Sequence, residues 1–170
     1  CAYEEVIHIP LVISNPNMFL QDQVTDSFYS HVDFLPTLLE LCGIPAPMRS
    51  KGGVSLLPVI RNPSTSVREA VLFAFDDQIL LPENTPHSHI RAIRDKEWMY
   101  AVYYSMDGTS FEAELYQLNK DPDQVHNLIS KTMSEEHLEE AFRLHHKLKE
   151  KIFDHGDLPK GFPLSAPGSR

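Results

Sequence analysis

Five basic side chains, His87, His89, Arg91, Arg94 and Lys96, crowd into the segment Pro86 to Lys96 (PHSHIRAIRDK), in a chain whose formal charge is -9. An arginine fork can hold two oxygens of a sulfate, phosphate or carboxylate at once, and a neighbouring imidazole adds a further polar contact. His89, Arg91 and Arg94 are therefore the candidates for binding an anionic substrate. The competing reading is that Arg91 and Arg94 form surface ion pairs with nearby acids such as Asp95 or Glu97. The long connection from Asp76 to Ser88 favours binding, since loops of that length often form lids or binding edges. His87 and His89 would point the same way on an extended backbone, but zinc needs further ligands, and none is identifiable.

The rest of the chain is poor in catalytic constellations. It has no phosphate-cradling glycine loop, no nucleophile elbow and no zinc-spaced set of Cys and His. Asp76 and Asp77 offer hard oxygens to a divalent cation, yet adjacent acids at a strand end are commonly just solvated. Cys1 and Cys42 are two lone thiols and make no disulfide framework. The acidic balance disfavours nucleic acid and anionic membranes, both of which need a basic surface to replace counterions. No apolar run approaches the length of a membrane span.

The elements that must position these residues follow from the apolar pattern. Val6 to Ile13 (VIHIPLVI) is nearly continuous and predicts a strand buried on both faces, with Pro10 near its start or at a bulge. Ser30 to Pro45 (SHVDFLPTLLELCGIP) predicts a helix: Asp33 is placed to cap the first turn, Pro36 tolerates that turn, and Gly43 and Pro45 stop it. Its expected apolar face is Leu35, Leu38, Leu39 and Cys42. Asn62 to Ser66 (NPSTS) has linker composition, which places a boundary near residue 64. Beyond it Ala70 to Phe75, Ile90 to Arg94, Trp98 to Tyr104 and Phe111 to Leu118 predict a four-stranded antiparallel sheet, with Asp107-Gly108 as a turn.

Within Trp98 to Tyr104, the side chains of Trp98, Tyr100, Val102 and Tyr104 share one face and those of Met99, Ala101 and Tyr103 the other. Thr132 to Glu135 offers a capping-box start to a last helix. Leu138, Ala141, Phe142, His145, Leu148 and Ile152 form its sheet-facing stripe, and Gly156 and Pro159 end it. The fold class is α/β, with residues 1–63 forming the incomplete end of a larger α/β layer and residues 64–170 an α+β subdomain. One strand and one helix cannot complete such a layer, and the chain opens at Cys1 rather than Met. Both lead us to expect further chain upstream.

Four blocks in order, Tyr3 to Ile13 (YEEVIHIPLVI), Ser30 to Pro45, Ile90 to Tyr104 (IRAIRDKEWMYAVYY) and Glu114 to Leu128 (ELYQLNKDPDQVHNL), resemble the C-terminal portion of the sulfatase family, within the alkaline-phosphatase-like superfamily. The resemblance implies a hydrolase of sulfate esters that uses calcium and a formylglycine nucleophile, acting on a sulfated small molecule or glycan. It also implies packing of this chain against an N-terminal part of the enzyme. The family's nucleophile lies in a Cys-x-Pro-Ser-Arg type motif, which this sequence lacks, and its metal-binding segment would fall upstream of Cys1. The resemblance thus assigns no catalytic residue and no metal ligand to this chain, which alone is expected to be inactive. Asp154-His155-Gly156 spells a family metal tripeptide but stands at the predicted helix stop. Two alternatives remain: a phosphonate monoester or phosphodiester hydrolase of the same superfamily, and a non-catalytic module binding anions through His89, Arg91 and Arg94.

Overall fold

Seven residues of almost unbroken aromatic and aliphatic character, Trp98 to Tyr104, form the central strand of the protein and are buried along their whole length. A strand can bury both faces only if each is covered, and that requirement organises the larger of two compact units in this computed structural model. The structure describes residues 1–18, 22–45, 52–76, 88–156 and 158–167. The units comprise Cys1–Glu4 with Leu72–Arg170, and Glu5–Val71.

β1 (Ala70–Asp76), β2 (His89–Asp95), β3 (Trp98–Tyr104) and β4 (Phe111–Gln117) form the four-stranded antiparallel sheet that the sequence predicts, in the order β1-β2-β3-β4. The β2/β3 register sets His89 opposite Tyr104 and Arg94 opposite Met99; β3/β4 sets Met99 opposite Tyr116. Asp107 tightens the β3–β4 turn by accepting from Ser105 Oγ and from Thr109 N, while Gly108 supplies the positive φ of 73°.

The long helix α4 (Glu135–His155) covers the face that carries Tyr100, and its buried stripe is Ala141, Leu144, His145, Leu148 and Ile152. Leu144 replaces the expected Phe142, which is exposed. Ser134, rather than Thr132, caps the helix, its Oγ accepting from His137 N at 3.2 Å. The helix ends at His155 with Gly156 as C-cap, so Asp154-His155-Gly156 is a helix stop.

The opposite face is closed by the first residues of the chain. Ala2 N donates to Tyr103 Oη at 3.1 Å, Tyr103 Oη donates to Glu114 at 2.7 Å, and Tyr3 packs edge-on against Tyr116. Glu4 N donates to Gln124 Oε1 at 2.6 Å. Gln124 is itself buried and holds a positive φ of 52°.

The smaller unit departs from expectation in two places. The predicted strand Val6 to Ile13 is a single helical turn, α1 (Glu4–Ile7), followed by irregular backbone. Strands exist through their partners, and no described segment pairs with this run; Pro10 also removes a donor from it. Helix α2 (Phe34–Leu41) forms where predicted, preceded by a 3-10 turn at His31–Asp33. Its buried residues, however, are Pro36 and Thr37, whereas Leu35 is 58% exposed and Leu38 43%.

Asp33 does not cap α2 through its side chain. It is fully buried and instead accepts from Ser30 N at 2.9 Å, from Val54 N at 2.8 Å and from Arg68. Thr37 Oγ1 receives Leu56 N at 2.9 Å, next to the short helix α3 (Leu57–Arg61). The buried polar side of α2 therefore organises this unit, and its leucine side faces out.

Candidate functional site

Alternation along β2 puts His89 and Arg91 on one face of the sheet and Arg94 on the other, so the three sequence candidates do not converge. Arg94 Nε and NH2 contact the Glu4 carboxylate at 3.1 and 3.2 Å, and NH1 donates to Asp95 O at 3.0 Å. Arg94 thus holds the N-terminal segment against the sheet. Lys96 is exposed, and His87 and Asp77 lie outside the described residues.

His89 and Arg91 do meet, on the carboxylate of Asp76 at the end of β1. Arg91 donates through NH1 to Oδ1 at 2.8 Å and through NH2 to Oδ2 at 2.9 Å, a bidentate fork. NH1 also reaches Ile90 O at 2.8 Å. His89 Nδ1 lies 2.7 Å from Asp76 Oδ1. The His89 and Arg91 side chains are almost fully buried, while that of Asp76 is 37% exposed. Burial alone would push the Asp76 carboxyl up; the hydrogen bonds and charges of Arg91 and His89 outweigh it and hold the carboxyl below its usual value.

Tyr104 of β3 completes the cluster. Its ring stacks on His89 with centroids 5.4 Å apart, lies 6.0 Å from the Arg91 guanidinium carbon, and takes Phe162 edge-on at 5.5 Å. Burial pushes its phenol up to about 12, with Arg91 opposing and Asp76 adding. Among the described residues the buried Tyr104 Oη has no hydrogen-bond partner, and neither has Ser88 Oγ.

The ion pairs named in the competing sequence reading, with Asp95 or Glu97, give way to Asp76 and Glu4; Asp95 instead pairs with Arg143 at 2.9 Å. Asp76 was readable as one half of an acidic doublet, and an acid ending one strand beside an arginine on the next was the available signal. Phe162 carried no local signal, because its role arises from packing across more than fifty residues of chain.

Among the described residues no group of three or more His, Cys, Asp or Glu is placed to hold a metal ion, so they do not fit a metal centre. Cys1 and Cys42 are free and exposed. Among the described residues no helix is long and apolar enough to cross a membrane. The cluster can orient an imidazole and hold it against an aromatic wall.

Residues 1–154 match the family model for the C-terminal region of N-sulphoglucosamine sulphohydrolase. The chain is 31% identical over 131 residues to arylsulfatase K of Rattus norvegicus, covering 75% of this chain and 22% of that protein. It is 29% identical over 153 residues to a sulfatase of Formosa agariphila, covering 86% of this chain and 27% of that protein. The chain thus spans about a quarter of the length of the curated relatives it matches. Among solved structures, a protein in complex with its substrate D-glucosamine-2-N,6-O-disulfate shares the fold with a TM-score of 0.60 and 24% identity, over 76% of this chain and 25% of that one. The phosphonate monoester hydrolase of Agrobacterium radiobacter shares it with a TM-score of 0.57 and 22% identity, over 81% of this chain and 28% of that one.

Proposed function

Since the chain belongs to the sulfatase family, matching its N-sulphoglucosamine sulphohydrolase C-terminal region, we propose that it is the C-terminal portion of an enzyme that hydrolyses sulfate esters. The observation that carries this reading is the match over residues 1–154, nearly the whole chain. The substrate class is a sulfated small molecule or glycan, with a sulfated amino sugar the first choice. In this reading residues 1–63 end the catalytic α/β domain and residues 64–170 form a subdomain bordering the substrate.

The formylglycine nucleophile and the calcium that the family resemblance implies are assigned here to chain upstream of Cys1, in keeping with the lack of a Cys-x-Pro-Ser-Arg motif in this sequence. The part played by this chain is to bind and orient. Its His89, Asp76, Arg91 and Tyr104 cluster supplies a fixed polar group, and the exposed side of α2, with Phe34, Leu35 and Leu38, is the surface that packs against the N-terminal part. Exposed leucines at helical spacing are the expected trace of such an interface.

The second reading, hydrolysis of a phosphonate monoester, draws on the fold shared with the Agrobacterium radiobacter enzyme. Turnover of a sulfate ester and a phosphonate monoester of the same alcohol by the full-length protein separates the two. The sulfatase reading expects the higher kcat/KM for the sulfate ester, and a higher value for the phosphonate would replace it with the second reading.

A further inference from the structure

Residues 159–166 belong to no helix and no strand, yet through Phe162 they touch both α4 and β3. We propose that they are a proton-released strap, docked while the buried His145 imidazole of α4 is neutral and let go when that ring gains a proton.

A few anchors, rather than a backbone ladder, hold the strap. Phe162 is buried, stacks on His145 with centroids 5.6 Å apart and 19° between the planes, and meets Tyr104 edge-on at 5.5 Å. Gly161 takes a left-handed φ of 81° that brings the chain against Ser105 and Met106 of the β3–β4 turn. Lys149 Nζ donates to Leu164 O at 3.0 Å, and Phe162 N donates to Pro159 O within the strap at 3.2 Å. Ala166 is buried, whereas Lys160, Leu164 and Ser165 are exposed.

The ring beneath the strap suits the neutral form. His145 Nδ1 lies 3.0 Å from Tyr100 Oη, and Nε2 is buried without a hydrogen-bond partner among the described residues. An imidazolium donates at both nitrogens, so protonation here leaves a buried N–H unmet and a cation out of water. The titratable and charged groups that act on the ring are Tyr100 of β3 and Lys149 and His146 of α4. Burial and the Lys149 charge lower the His145 pKa; the backbone of Pro163 and Leu164 pulls the other way and is outweighed.

Three covers keep water from this imidazole: β3, the body of α4 and the strap. β3 is paired on both sides and α4 is a long helix with its own hydrogen bonds, so the strap is the cover that opens at least cost. Its departure hydrates the charged ring and also takes Phe162 away from Tyr104, whose own ring stacks on His89. The docked state binds fewer protons than the released one. Docking is therefore strongest above the ordinary imidazole value of 6.5 and weakens as pH falls below it, by up to about tenfold per pH unit, until the lower docked value is passed.

A nitroxide on Leu164→Cys, at a side chain that is 72% exposed, reports strap mobility by electron paramagnetic resonance in the full-length protein, after subtraction of the parent labelled in the same way. A second label on Glu139→Cys, exposed on α4, reports loosening of the helix itself. Between about pH 7.5 and pH 5 the mobile fraction at residue 164 is expected to rise at least about threefold, with the label at residue 139 unchanged. His145→Gln, which does not titrate, is expected to give a flat profile. Lys149→Gln keeps a donor for Leu164 O but removes the charge beside His145, and the rise is expected to be smaller. A parent strap whose mobility ignores pH, a rise that persists in His145→Gln or is undiminished in Lys149→Gln, or joint loosening of both labels would each overturn the proposal.

Discussion

The Arg91 guanidinium and the Asp76 carboxylate close a two-point fork between β2 and β1, at 2.8 and 2.9 Å, with the Arg91 side chain almost fully buried. Asp76→Asn would leave a buried charge with a weaker acceptor. The expected cost is about 1 to 2 kcal/mol, below that of a fully buried pair because Asp76 is partly solvated. Since the folded protein holds this carboxyl below its ordinary value of 3.8, the contribution is complete above that value and is lost as pH falls through the folded one. Urea unfolding of parent and variant at neutral pH and near pH 3 checks both points: the difference between them should shrink in acid.

His145 acts in the same sense at milder pH. It is buried on α4, with Nδ1 3.0 Å from Tyr100 Oη and its ring stacked on Phe162 at 5.6 Å. Burial, with Lys149 and His146 adding, lowers its pKa from the ordinary 6.5. The unfolded chain therefore binds more protons in this range, so stability is greatest above about pH 6.5 and declines as pH falls below it. The melting temperature should drop between about pH 7 and pH 5, and less so in His145→Gln.

Gly161 has a φ of 81° and sits against the β3–β4 turn. A Cβ there would lie 2.7 Å from Met106 O and overlap the Ser105 carbonyl as well. Gly161→Ala should destabilise by at least about 2 kcal/mol, combining left-handed strain with overpacking. Gly108→Ala, which meets only ordinary contacts at 3.5 Å, should cost less. Thermal unfolding of the two variants side by side gives the comparison.

Leu35 and Leu38 are exposed on α2. Leu35→Ser with Leu38→Ser should alter the stability of the 170-residue chain by no more than about 0.5 kcal/mol per site. In the full-length protein the same pair should cost several times as much, if α2 packs against the N-terminal part as proposed. Equal effects in both proteins would argue against that packing.

The sheet was legible because its strands signal themselves locally. Trp98 to Tyr104 alternates two apolar faces and is bounded by turn residues, and it spans the very residues predicted; β4 differs by a single residue at its end. The last helix was legible from its 3.6-residue period, though two positions at the margin of the stripe were misjudged: Leu138 and Phe142 were expected in it and are not buried, while Leu144 is. Val6 to Ile13 failed for a different reason. Its composition is that of a buried strand, but a strand is a relationship between segments, and no described segment pairs with it.

The site was only half legible. His89 and Arg91 stood out by charge, whereas their organiser, Asp76, lies on another strand, Tyr104 showed only as one of an aromatic stripe, and Phe162 carried no signal of its own. Arg94 resembled a ligand group from its neighbours in sequence, yet strand alternation sends it to the opposite face, against Glu4.

The most direct measurement is release of inorganic sulfate from D-glucosamine-2-N,6-O-disulfate by the full-length protein and by the 170-residue chain, under identical conditions. The account predicts sulfate release by the full-length protein and none above background by the chain alone. Release by the isolated chain, or cleavage of no sulfated amino sugar by the full-length protein, would contradict it.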